Sequence, residues 1–154
     1  MSQRMNVINL APDAYKAVSG LEAWLRTSTL PTSTLELVKI RVSQINGCAF
    51  CVDMHTHDAR KEGESEERLL ALPVWWESPL FTDAERAALA LAEEATRLSD
   101  RRDAVSDPVW EEAARHYGEE TLAALVLAVA AINFWNRVAV TTRMVPGSHR
   151  PSAS

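Results

Sequence analysis

The chain has 154 residues, a formal net charge of −5, 47% hydrophobic and 24% charged residues, which is the profile of one globular domain. A domain of that size buries a real core without staples. The acidic balance, with Arg101-Arg102 flanked by Asp100 and Asp103, argues against a nucleic-acid partner, because phosphate binding needs a basic patch.

Residues 1–10 mix polar and apolar side chains and offer no apolar stretch of the secretory kind,. Pro12 and Asp13 open a predicted helix over residues 12–26, with Ala14, Val18, Leu21 and Leu25 at helical spacing,. Residues 27–31 break it. Ser33 precedes Glu36 by three, the spacing of a capping box, and predicts a second helix to about Asn46,. Asn46-Gly47 is a stop signal. A third helix is expected from near Cys48 to about Glu62, with Gly63 as its cap,.

Ser65 caps a short predicted helix to Ala71, and residues 73–79, with Trp75 and Trp76, read as a loop. Those two tryptophans are read first as packing, with a substrate-pocket wall as the alternative. Thr82 and Glu85 form another capping-box pattern ahead of a helix to about Leu98,. A charged linker follows over residues 100–107. Pro108 suits a first helical position, opening residues 109–117, and Gly118 ends that helix. The longest helix is expected from Glu119 to about Arg143, its acids at the positive end,.

That last helix is apolar nearly all round from Leu122 to Ile132, which marks a helix central in a core or shared between subunits. The run stops at Asn133, short of the roughly 18–20 residues that span a bilayer. No stretch alternates with a period of two. The expected class is all-α, six to seven helices, with a single domain over residues 1–146 and a polar tail over 147–154. The expected location is cytoplasmic, with no membrane partner. Thiols stay reduced in that compartment, so paired cysteines there point to catalysis or metal rather than a structural staple.

The chemistry concentrates in the words from Glu36 to His55, ELVKIRVSQINGCAFCVDMH. On an ideal helix of about 100° per residue, Cys51 falls near −60° and His55 near −20° from Cys48, so the three share a face. Phe50 and His57 point away, and Cys51 with His55 is an i,i+4 pair able to touch. A CxxC at a helix start favours a thiolate and allows a disulfide within one turn. His55 fits as a base near neutral pH. Cys48, Cys51 and His55 could also be three zinc ligands. A closed structural zinc site wants a fourth, and His116 and His149 stand apart from them in the sequence. An inert core role is the third reading. Glu36 is read first as the capping-box acid, with a place beside His55 as the alternative.

At these residues the chain resembles the AhpD-like alkylhydroperoxidases of the carboxymuconolactone decarboxylase group. The shared pattern is a Glu, a CxxC beginning twelve residues later and a His four after the second Cys, met here by Glu36, Cys48, Cys51 and His55. INGCAFCVDMHTHDAR and AINFWNRVAV are also similar to members of that family. The resemblance implies an AhpD-like helical fold in homo-oligomers, trimers or hexamers. It implies reduction of organic hydroperoxides or hydrogen peroxide, with Cys51 as peroxidatic thiol, Cys48 as resolving thiol, and His55 and Glu36 as proton relay. It implies no cofactor beyond the redox-active pair, and an external dithiol or lipoyl-type reductant. The helix-terminus effect alone would instead activate Cys48. The best-known members carry a second His directly before the second Cys, where this chain has Phe50. Rival readings are a decarboxylase or other lyase of the wider group, whose members do not rely on this CxxC-plus-His set, and a non-enzymatic thiol sensor or zinc-holding oligomeric module.

Overall fold

The computed structural model describes residues 2–100 and 102–150, and among them there is no strand. The α-helices are α1 (Val7–Leu10), α2 (Pro12–Thr27), α3 (Thr32–Ile45), α4 (Ala49–Lys61), α5 (Glu66–Ala71), α6 (Asp83–Thr96), α7 (Asp107–His116) and α8 (Glu119–Thr142). The all-α expectation holds for the described residues. The helix count is one above the expected range, because the short α1, capped by Asn6 accepting from the Asn9 N–H, has no apolar period to betray it.

The expected loop over residues 73–79 is instead a 3-10 turn over Leu72–Glu77. It brings Trp75 into the core while Trp76 stays half exposed. The capping box of α6 forms as read, with Thr82 and Glu85 exchanging side-chain and backbone hydrogen bonds. The one expected at α3 does not form. The N-cap there is Pro31, which has no side-chain oxygen to offer, and Ser33 lies inside the helix. Glu36 is thereby freed for a different partner.

The hydropathy pattern singles out α8 as the central helix, yet α3 occupies the middle. Ten consecutive residues of it, Thr34 to Ser43, are buried, with α4, α6 and α8 packed around it. Its apolar residues Leu35, Leu37, Val38, Ile40 and Val42 are each at most 1% exposed. Burial of side chains of this kind stabilises by about 1.5–3 kcal/mol each. What disguises α3 in the sequence is its polar residues, each of which is tied to a different neighbour. Glu36 meets His55 on α4, Lys39 meets Glu22 on α2, Arg41 meets Glu93 on α6, and Ser43 meets Asn136 on α8. Buried charges of this sort cost desolvation and return it only when paired, so they fix the rotation of α3 about its axis more than they add stability.

With 24 residues of largely apolar composition, α8 is long enough to cross a membrane by length and composition alone, which corrects the estimate from its apolar run. Here its buried side, including Leu125, Ala128, Ile132 and Asn136, packs into the core. The other side leaves Val126, Leu127 and Phe134 exposed.

Candidate active site

The turn between α3 and α4 sets the position of both cysteines. Gly47 has φ +67°, a conformation open to glycine with little penalty. The Gly47 N–H donates to Gln44 O at 3.3 Å and the Cys48 N–H to Ser43 O at 2.9 Å, which together are a Schellman motif closing α3. Cys48 then serves at once as the N-cap of α4, its sulfur accepting from the Cys51 N–H at 3.3 Å. One residue thus ends one helix and begins the next. Cys48 is extended, φ −88° and ψ 90°, so it sits just off the ideal helix assumed from sequence. Cys51 still comes back beside it, with Cα atoms 5.3 Å apart and the two joined as a disulfide.

An asparagine network clamps this turn from the far side. Asn46 Nδ2 donates to Asn133 Oδ1 at 3.0 Å and to Asn136 Oδ1 at 2.9 Å. Asn136 Nδ2 donates to Ser43 Oγ at 3.0 Å, and Ser43 Oγ donates to Lys39 O at 2.7 Å. The sequence reading gave Asn46 only as a stop signal and Asn133 only as the end of an apolar run, and did not single out Ser43 or Asn136. Their signal was there: two asparagines, three apart, interrupt the most apolar helix of the chain.

His55, one helical turn after Cys51, is 5% exposed and Cys51 1%. Its Nδ1 lies 2.9 Å from Glu36 Oε2, and Glu36 is 6% exposed. An ionised carboxylate only accepts, so Nδ1 carries a proton, and whenever the ring is neutral the free lone pair is on Nε2. Burial pushes the Glu36 carboxyl up. The hydrogen bond and charge of His55, with the charges of Lys39 and Arg26, outweigh that and hold it below its ordinary value. The structure thus joins the four sequence-predicted residues in two pairs, Glu36 with His55 by a hydrogen bond and Cys48 with Cys51 by a disulfide, with His55 one helical turn after Cys51.

A cavity of about 560 Å³ adjoins the pair, lined by Ser43, Gln44, Cys48, Val52, Thr56 and Arg60 among others. Cys48 borders it and Cys51 does not. The two cysteines are thus placed differently: Cys48 has the cavity and accepts the helix-end N–H, and Cys51 lies one helical turn before His55.

The polar tail makes contacts on the outer face of α4. Through Arg150 it lies against α4, with the His149 ring edge-on to Phe50 at 5.7 Å and to His57 at 5.9 Å. His149 Nδ1 is 3.7 Å from Asp53 Oδ2, and Arg150 pairs with the same carboxylate. His149 is thus not isolated, and His57 is part of a packed cluster. Residues 151–154 lie outside the described residues. Among the described residues, no group of three or more His, Cys, Asp or Glu side chains is arranged to hold a metal ion.

The profile of the carboxymuconolactone decarboxylase family matches residues 10–94, which include the whole site. The chain belongs to the carboxymuconolactone decarboxylase family. It is 44% identical over 140 residues to the uncharacterized protein YdfG of Bacillus subtilis (strain 168), covering 91% of this chain and 94% of YdfG. A solved structure from Agrobacterium tumefaciens, of a protein of unknown function assigned to the antioxidant defence protein AhpD, superposes with a TM-score of 0.89 at 38% identity. That match covers 94% of this chain and 98% of the other. The debrominase Bmp8 shares the fold at a TM-score of 0.78 and 23% identity, over 92% of this chain and 75% of its own. The carboxymuconolactone decarboxylase fold with AhpD-like character is therefore shown for this chain.

Proposed function

We propose that the protein is a thiol peroxidase that reduces small organic hydroperoxides or hydrogen peroxide. The observation that carries this reading is the buried Glu36–His55 hydrogen bond set one turn below a CxxC pair. In the reduced protein His55 Nε2 takes the Cys51 proton. The thiolate attacks one peroxide oxygen, the O–O bond breaks, and the proton held on His55 leaves with the departing alkoxide as an alcohol or water. The Cys51 sulfenic acid then condenses with the Cys48 thiol, expelling water and forming the Cys48–Cys51 disulfide.

An external dithiol, of lipoyl or comparable type, closes the cycle. Its thiolate attacks the sulfur that borders the cavity, Cys48, and Cys51 departs as the thiolate beside His55. The leaving thiol with the better-stabilised anion leaves faster. The donor's second thiol then releases Cys48 and carries away the disulfide. No cofactor other than the cysteine pair is needed. Homo-oligomer formation belongs to the same proposal, with a second copy covering Val126, Leu127 and Phe134 on α8, and the mass in solution measures the number of copies.

The test is trapping. With Cys48→Ser, peroxide should leave a sulfenic acid on Cys51, seen by mass spectrometry after labelling with a dimedone-type reagent. Cys51→Ser should abolish peroxide consumption with a dithiol present. Unchanged turnover in Cys51→Ser ends the assignment, as does a sulfenic label on Cys48 in that variant with none on Cys51 in Cys48→Ser. A lactone acid supplied instead of peroxide, with product analysis, separates the lyase reading.

A further inference from the structure

Asn133 and Asn136 interrupt the apolar side of α8, and both reach the joint that carries Cys48. Asn136 is 1% exposed, and Ser43 is fully buried. A buried amide is costly unless its polar atoms are bonded. Asn136 meets that demand at the joint, with Oδ1 accepting from the Asn46 amide and Nδ2 donating to the Ser43 hydroxyl. Asn133 Oδ1 accepts the other Asn46 N–H, and its own Nδ2 donates to Thr96 Oγ1 on α6 at 3.2 Å. Apolar residues in these places would fill the core without that obligation, so packing alone does not account for them. The bonds converge on the two residues that frame the turn. Ser43 supplies the carbonyl to which the Cys48 N–H donates, and Asn46 is the C-cap of α3, two residues before Cys48.

We propose that Asn46 and Asn136 are positioning residues of the cysteine pair: by pinning the α3–α4 joint to α8 they hold Cys48 beside Cys51 when no bond joins the sulfurs, and so favour the disulfide over the dithiol. The inference rests on the redox use of the pair proposed above. In the oxidised protein the S–S bond itself keeps Cys48 in place. In the reduced protein that task falls to the backbone bonds of the turn and to this network. Two thiols already held together lose less freedom on closing a disulfide than two that wander. A loosened joint therefore removes preorganisation from the reduced state and changes the oxidised state little.

The test is a redox titration of the whole chain in dithiothreitol buffers of graded oxidised-to-reduced ratio, quenched by alkylation and read by mass spectrometry. The exchange is balanced: dithiothreitol gives up two electrons and two protons and closes to its own disulfide, while Cys48–Cys51 opens to two thiols. Asn46→Ala should shift the equilibrium about three- to tenfold toward the dithiol, tenfold being about 30 mV for a two-electron couple. The double variant Asn46→Ala/Asn136→Leu takes out both amides together and so leaves neither buried without its partner. It should shift the equilibrium in the same direction, by less than the sum of the single effects, because the two act through one network. Thr82→Ala removes the cap of α6, away from the joint. It should lower the urea midpoint and leave the titration unmoved. Circular dichroism checks the fold of each. If the folded joint variants titrate with the wild type or shift toward the disulfide, or if Thr82→Ala shifts as far as they do, the positioning role is overturned and the redox reading of the pair stands. If the wild-type pair does not exchange with the buffer at all, the redox reading falls and the positioning role with it.

Discussion

At the residue scale, the proposed relay turns on the proton at His55 Nδ1. It is held by Glu36 Oε2 at 2.9 Å, and that bond fixes which ring nitrogen can act as a base. Glu36→Gln keeps the size of the side chain and removes its charge. The amide can also turn its NH₂ toward Nδ1, which would place the ring proton on Nε2 and block the base. Peroxide turnover in Glu36→Gln is expected to fall about 10²–10⁴-fold, the usual reach of general acid–base catalysis. A loss smaller than twofold in a steady-state assay would show that the carboxylate is a bystander. The spacing of Glu36, Cys48, Cys51 and His55 was readable from the chain. The use of Glu36 was obscured by Ser33, which mimics a cap although Pro31 occupies that position. Lys39 and Glu22 were invisible because nothing local distinguishes a charged residue on a solvated face from one facing a partner 17 residues away.

At the element scale, the α3–α4 turn carries the site. Gly47 sits at φ +67°, and a Cβ added there would meet no atom within 4 Å. The penalty of Gly47→Ala is therefore conformational and not steric, about 1–2 kcal/mol. Urea denaturation should show that loss. Gly118 is the useful contrast: its φ of −61° is open to any residue, and Gly118→Ala should shift stability by less than about 1 kcal/mol in either direction. Equal losses in the two variants would mean that backbone strain is not what the glycine at 47 relieves. Helix ends were the most legible part of the fold, because Gly47, Gly63, Ser65 and the Thr82–Glu85 pair announce themselves locally. The rank of the helices was not. Hydropathy points to α8, while α3 holds the centre with Glu36, Lys39, Arg41 and Ser43 each satisfied by a different neighbour.

At the scale of the whole molecule, acid should undo this arrangement. Burial pushes Glu36, Glu85 and Glu93 up, but their partners more than compensate and hold all three below the ordinary value of 4.5. For Glu85 the partners are Arg68 and Thr82, and for Glu93 they are Trp75, Arg41 and Arg97. The folded state then binds fewer protons than the unfolded chain as pH falls. These carboxylates contribute stability that is fully present above the unfolded value and is lost as pH drops through the folded ones. Urea unfolding measured from pH 7 to pH 3 should give a flat free energy down to about pH 5 and a decline below it. Stability that rises toward acid would contradict the assignment of these pairs.

Because Cys48 belongs to two helices at once, the length of the segment around it is as consequential as its composition. One residue inserted between Asn46 and Cys48, or one removed, would break the Schellman turn and change how α4 is set against α3. Cys51 and His55 would travel together and stay neighbours, while Glu36 would be left facing a different side of the helix. The three-residue joint from Asn46 to Cys48 is therefore a place where a change of count should cost the Glu36–His55 bond even where the helices themselves survive.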